Sequence, residues 1–261
     1  MGCFFISIFF PRTCCLDGIG DEKMEQDKVF ARNVRIARSL LVVFLLALAV
    51  FILVFCFVYG MSDFLVILGL SMFFIGPAYI ANAMMVFTKT INHPMDGGRY
   101  FIDGRRLFGQ TKTWGGFLGG ILFGFVAGVA INLVFWFSYP SINAFALTQL
   151  ALLKYPVTLN YLQAFLYPNV WLIPVRALFC GLGAPIGDLV KSFFKRRLSI
   201  GSGGPFWIAD QLDFIVATVL LNLAWFPLNR FNILLLLFMT PSVTLFANYV
   251  AYSIGRKKEP W

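Results

Sequence analysis

Acidic residues are scarce in this chain. Between Phe64 and Lys258 there are only five, Asp96, Asp103, Asp188, Asp210 and Asp213. Charged residues make up 13% of the 261 positions, against roughly 25% in soluble proteins, whereas 59% are hydrophobic and 31 are Phe. That balance excludes an ordinary soluble enzyme. Histidine is confined to His93, which reads as a solvated loop residue. No Ser-His-Asp or Cys-His set is available, which argues against acyl transfer or proteolysis by those routes. The five cysteines (Cys3, Cys14, Cys15, Cys56 and Cys180) contain no C-x-x-C pair, so neither a zinc site nor a disulfide framework is expected. Their N-terminal cluster reads as incidental rather than as a palmitoylation site, and Ile6 stands where a myristoylation motif needs Ser or Thr. Residues 3–10 are too short to span a membrane and do not read as a cleaved signal peptide. No internal repeat points to the paired halves of a secondary transporter. No basic-aromatic soluble domain is present to hold nucleic acid, so the net charge of +9 speaks for topology and anionic ligands.

Long apolar runs are what the chain does have. Leu40 to Tyr59 is 20 residues without a charge, enough to cross a hydrocarbon core of ~30 Å. The pattern predicts an all-α polytopic integral membrane protein with about six transmembrane helices and two polar loops. An arm over 1–38, with helical spacing from Lys28 to Arg38, delivers a first span at about 39–60, and Asp63 lies in a short turn. A second span, Phe64 to Phe87, contains Pro77 and Asn82; the loop 88–113 follows, then a third span at 114–138. There Gly116, Gly120, Gly124 and Gly128 share one helix face and let another helix approach closely. Residues 139–169, punctuated by Pro140, Pro156 and Pro168, read as interfacial or re-entrant. A fourth span at 170–188 carries Pro174, Arg176 and Pro185, and a basic stretch at 189–207 follows. A fifth span runs to about Phe226 and a sixth from Phe231 to Ile254, before Arg256-Lys257-Lys258. Six spans place the arm, both loops and the tail on one side, and these hold 18 of the 21 Lys and Arg residues. By the positive-inside rule that side is the cytosol.

The polar residues then gather into constellations. Asp210 and Asp213, three apart at the start of the fifth span, share a helix face. They read either as a Mg²⁺ pair or as helix-start acids favoured by the macrodipole. The cost of ionisable groups at membrane depth favours the metal. Asp188, Lys191, Ser192 and Lys195 fall at i, i+3, i+4 and i+7, and Arg196 and Arg197 continue that stripe. A basic flank alone would merely anchor a helix end. The acid before it and Gly201, Gly203 and Gly204 after it favour a polyphosphate held by lysines and arginines. In the loop, Asp96-Gly97-Gly98 and Asp103-Gly104 are turn signals, while Arg105, Arg106, Lys112 and Thr113 offer cations and N–H groups to an anion. Asn82 is read equally as a helix-helix hydrogen-bond residue or a substrate contact.

At this point the stretches GDLVKSFFKRR and GPFWIADQLDF resemble the CDP-archaeol synthase family, relatives of the CDP-diacylglycerol synthases. MDGGRYFIDGRRLFGQTKTWGG and GPAYIANAM look like two further signatures, in the expected order, over roughly residues 64–255. The resemblance implies transfer of CMP from CTP to the phosphate of 2,3-bis-(O-geranylgeranyl)-sn-glycerol 1-phosphate with Mg²⁺, releasing pyrophosphate. It implies Asp188, Lys191, Asp210 and Asp213 as catalytic residues and Asp188, Asp210 and Asp213 as metal ligands. CTP would meet Asp96, Asp103, Arg105, Arg106, Lys112, Thr113, Ser192, Lys195, Arg196 and Arg197, and the lipid Asn82. Ser202-Gly203-Gly204-Pro205 stands where bacterial relatives have Pro-Gly-His-Gly-Gly, so no histidine role transfers, and Met84-Met85 replaces a proline after Asn82.

The resulting division is a cytosolic arm over 1–38, an extra transmembrane helix over 39–63, a cytidylyltransferase core over 64–255 and a basic tail over 256–261. The expected partners are CTP, an isoprenoid ether lipid phosphate and membrane lipids, with a homo-oligomer left open and no nucleic acid. The rival is a transporter or channel for an anionic phosphorylated solute, which would place charges along a path across the membrane. A CDP-alcohol phosphotransferase would need a D-G-x-x-A-R motif that Asp103-Gly104-Arg105-Arg106 does not supply. A purely structural membrane protein would have no use for the charged clusters.

Overall fold

The computed structural model describes residues 14–88, 93–149, 170–201, 203–223, 228–255 and 257–261. Among the described residues there are six helices: α1 (Cys14–Val58), α2 (Met61–Phe87), α3 (Trp114–Gln149), α4 (Leu172–Arg197), α5 (Trp207–Leu223) and α6 (Arg230–Ser253). Five are long and apolar enough to cross a membrane. The other, α5, is described over 17 residues, and the expected end of this span near Phe226 lies outside the described residues. Among the described residues there is no strand beyond two isolated bridges, Pro94 to Thr113 and Tyr100 to Arg106, which brace the polar loop.

Three boundaries differ from the sequence expectation. The arm and first span are one helix, α1, of 45 residues and about 68 Å. Neither glycine nor proline interrupts the sequence from Asp21 to Val58, so nothing breaks the rod. Asp63 lies in the first turn of α2 rather than in a connecting turn. The third candidate span is Trp114–Ser138, as expected, but α3 stays helical beyond it, through Pro140 to Gln149. Proline is tolerated in apolar helices where neighbours satisfy the freed backbone groups. Residues 150–169, with Pro156 and Pro168, lie outside the described residues. The basic stretch after Asp188 is helical as far as Arg197, so α4 carries its cations on a rigid element.

α2 is the centre of the bundle. It is apolar all round, as a helix enclosed by others must be. Ile67, Leu70, Phe73, Phe74, Ile75, Ala78 and Ala81 form one cluster with Phe214 and Ile215 of α5 and Leu235, Leu236 and Met239 of α6. α1 lies mainly on α6, and its Leu46, Leu53 and Phe57 face outward, as a lipid-facing surface would.

Small residues set the spacings. A Cβ on Gly120, Gly124 or Gly128 would lie 2.6–2.8 Å from atoms of Met85, Ala81, Gly181 or Ala177, so the glycine stripe of α3 seats both α2 and α4. On α4, a Cβ on Gly187 would lie 2.4 Å from the Asp213 carbonyl, and one on Gly183 would lie 2.0 Å from Thr218 Oγ1. α5 therefore approaches α4 at backbone contact distance, at the level of the acidic pair.

Candidate active site

That approach brings three carboxylates onto one ammonium. Lys191 Nζ on α4 lies 2.7 Å from Asp213 Oδ2, 3.2 Å from Asp188 Oδ1 and 3.5 Å from Asp210 Oδ1. Lys195, one turn on, pairs with Asp210 at 2.7 Å and donates to the Gly204 carbonyl at 2.9 Å. Lys112 reaches in from the polar loop, its Nζ 2.6 and 2.7 Å from the two Asp188 oxygens. Six side chains from α4, α5 and the loop thus form one alternating lattice of charge in a partly enclosed space. Asp210 also accepts from the Phe206 N–H at 2.7 Å, and Asp213 from the Phe214 N–H at 2.7 Å, which fixes both carboxylates at the head of α5. Among the described residues no three acidic, His or Cys side chains form a ready-made metal cage. The aspartates converge on a lysine instead.

Other expected ligands are spent on architecture. Asp96 is buried, with both oxygens occupied: Arg106 donates to it at 2.7 and 3.2 Å, Gly98 N at 3.0 Å and Gly109 N at 2.9 Å. Burial raises its pKa, but the Arg106 guanidinium and the backbone donors outweigh that and bring it down to about 2. The Asp96 hydrogen bond raises the Arg106 pKa in turn. Both Asp96 oxygens therefore brace the loop itself. Thr113 Oγ1 accepts from Gly116 N at 3.2 Å, an N-cap for α3. Ser192 is buried and donates to the Asp188 carbonyl at 2.7 Å, on its own helix. Arg197 donates to the Arg106 and Leu107 carbonyls at 3.0 and 3.1 Å, stacks 3.8 Å from the Phe193 ring and pairs with Asp103 at 3.3 Å. Arg105 donates to the Arg196 and Arg197 carbonyls, capping the C-terminal end of α4. These contacts dock the polar loop onto α4.

Two large spaces border the lattice and a third lies nearby. A polar cavity of about 350 Å³ is lined by Asn82, Lys191, Lys195, Asp210 and Asp213, together with Gln211, Asn248 and Lys257. An almost wholly apolar groove of about 510 Å³ runs between α4 and α5, lined by Val190, Phe194, Val216, Ala217 and Leu220, and also reaches Lys191 and Asp213. A third, basic cavity of about 520 Å³ holds Arg105, Arg106 and Arg196 beside Gly109 and Gly201. The structure thus brings Asn82 to the acidic pair and sets Arg196 on a neighbouring face. Sequence reasoning missed Gln211, Asn248 and Lys257. One signal was present: Thr240, Thr244 and Asn248 recur at every fourth position as a polar stripe on an apolar helix, and Thr244 donates to Gln211 at 2.6 Å.

Comparison with known proteins places the chain among relatives by sequence. The family model for CarS-like CDP-archaeol synthase matches residues 64–261. The CDP-archaeol synthase of Thermococcus onnurineus is 35% identical over 191 residues, covering 73% of this chain and 95% of that protein. That of Methanosarcina acetivorans is 37% identical over 191 residues, covering 71% and 99%. A solved structure described as an intramembrane enzyme for archaeal membrane lipids biosynthesis is 28% identical, covering 70% of this chain and 92% of that one, at a TM-score of 0.47. Family membership rests on the sequence matches, which extend over both polar loops and every helix from α2 onward: the chain belongs to the CarS-like CDP-archaeol synthase family.

Proposed function

We propose that this enzyme transfers CMP from CTP to the phosphate of 2,3-bis-(O-geranylgeranyl)-sn-glycerol 1-phosphate, giving the CDP-activated ether lipid and pyrophosphate. One observation carries the reading: Lys191 and Asp213 line both the polar cavity and the apolar groove. A lipid phosphate lying in the groove, its chains against Val216, Ala217 and Leu220, would present its head group to a nucleotide in the cavity. The substrate then need not leave the bilayer.

An oxygen of the lipid phosphate attacks the α-phosphorus of CTP in line, the new P–O bond forms, and the bond to the β-phosphate oxygen breaks. Pyrophosphate leaves with that electron pair. The nucleophile is already an anion, so no general base is required, and catalysis reduces to positioning and charge neutralisation. Lys191 and Lys195 receive the phosphate oxygens, with Arg196 at the neighbouring basic cavity. Asp188 holds Lys112 and Lys191 in place. Asn82 contacts the head group.

Mg²⁺ fits the donor set. Asp188, Asp210 and Asp213 are hard oxygen ligands that already surround one cation, the Lys191 ammonium, at 2.7–3.5 Å. Mg²⁺ is bound through few carboxylates plus phosphate oxygens rather than by a complete protein cage. When bound, it would neutralise charge on the transferring phosphate.

The core of this activity is 64–255, with an added span at 39–63, an arm at 1–38 and a tail at 256–261. The excess of Lys and Arg in arm, loops and tail supports a cytosolic site and cytosolic termini. A transporter for an anionic solute is disfavoured because the charged lattice gathers at one end of the bundle. The test is direct. Purified protein in detergent, given Mg²⁺, radiolabelled CTP and the ether lipid phosphate, should produce lipid-extractable label that requires all three. No label from folded protein, across several ether- and ester-lipid phosphates, would overturn the reading.

A further inference from the structure

The segment 257–261 returns to the active-site end and closes one side of the polar cavity. Lys257, Glu259 and Trp261 line the same space as Lys191, Lys195, Asp210 and Asp213. The segment is tied down at several points. Trp261 Nε1 donates to the Gly203 carbonyl at 3.1 Å, and Lys257 Nζ donates to the main-chain oxygen of Trp261. The indole packs 6.3 Å from the Trp207 ring at the head of α5 and 5.7 Å from the Phe30 ring on α1. Gly203 takes φ 82°, and a Cβ there would lie 3.7 Å from the Glu259 carboxylate, so the glycine turn and the returning segment fit together closely.

The chemistry of this wall is specific. Lys191 and Lys195 are both ion-paired with aspartates within the cavity, whereas Lys257 donates to the main-chain oxygen of Trp261. That hydrogen bond takes one of the ammonium's three N–H groups and leaves two for another acceptor; burial lowers the Lys257 pKa, while the Glu259 and Asp210 carboxylates of the same cavity act the other way. Trp261 fixes where that charge stands, and Phe30 of α1 supports Trp261 from outside.

We propose that Lys257 is a further nucleotide-binding residue, a cation for the polyphosphate on the outer wall of the cavity, and that Trp261, braced by Phe30, is the residue that positions it. This rests on the assignment of the polar cavity to CTP. It also gives the N-terminal helix a role at the site: α1, which precedes the family-matched residues 64–261, buttresses the wall.

Equilibrium binding of CTP to the purified full-length protein, with Mg²⁺ and without lipid, tests the wall directly. Lys257→Ala should weaken CTP binding about tenfold, the effect of losing one charge-assisted hydrogen bond. Lys257→Arg should restore most of it. Trp261→Ala and Phe30→Ala should give progressively smaller losses. In turnover assays the loss should appear in KM for CTP, with kcat and KM for the lipid changed by less than about twofold. Unchanged CTP affinity in Lys257→Ala would overturn the proposal, as would an equal loss in Lys257→Arg. Formation of labelled lipid by the unaltered protein is scored separately, so failure of the reaction and failure of the wall are distinguishable.

Discussion

Asp96 shows how much of a polar loop can depend on one side chain. Its depressed pKa stabilises the folded loop fully above the ordinary carboxyl value of 3.8, and that contribution is lost as pH falls through about 2. The shift corresponds to about 2 kcal/mol. Asp96→Asn should lower stability by a similar amount, and amide exchange at Gly98 and Gly109 should accelerate at neutral pH in the variant, as it does in the parent only in strong acid. Asp213→Asn should cut turnover by at least about a hundredfold, because a carboxylate at the phosphate-transfer centre is removed; a variant with full activity would sink its assignment. The residue types at the site were legible in the sequence, since acids and cations stand out against an apolar background. Which of them remain available to a ligand was not. Asp96 and Thr113 satisfy backbone N–H groups, Ser192 and Arg197 donate to backbone carbonyls, and such pairings depend on where the chain turns.

At the scale of elements, the α4–α5 contact decides the geometry of the site. Gly187→Ala would drive a methyl into the Asp213 carbonyl and push α5 outward, taking Asp213 from Lys191. Overpacking of this kind costs about 1–3 kcal/mol, so the expected result is a lower melting temperature and severe loss of turnover. Gly69→Ala on α2, where nothing lies within 4 Å of the added carbon, should leave both within error. The glycine stripe of α3 was readable because it repeats every fourth residue. Gly183 and Gly187, also four apart, were masked by the charged residues that follow them. The span Trp114–Ser138 was legible from its apolar run, whereas the helical continuation of α3 through Pro140 was not, because proline is a breaker in water and tolerated in an apolar bundle.

For the whole molecule, the defining relation is between groove and cavity. Ala217→Phe should fill the groove, raising KM for the ether lipid about tenfold while CTP binding in the absence of lipid stays the same. A parallel loss of CTP affinity would mean that the groove and the cavity are not separate sites. Membrane residence follows from the five helices among the described residues that are long and apolar enough to span. The charged lattice stands where both polar loops and the segment 257–261 meet.

By itself, the sequence determined the membrane setting, the helix count, the family and the chemical types at the site. Each of these rests on local composition, periodicity or short motifs, which survive without knowledge of contacts. Only the tertiary structure decided that three aspartates converge on Lys191, that Asp96 serves the loop, and that Lys257 and Trp261 wall the cavity beside Phe30. Those facts join residues far apart in the chain. They depend on helix approach set by missing side-chain volume, which no single stretch of sequence reveals.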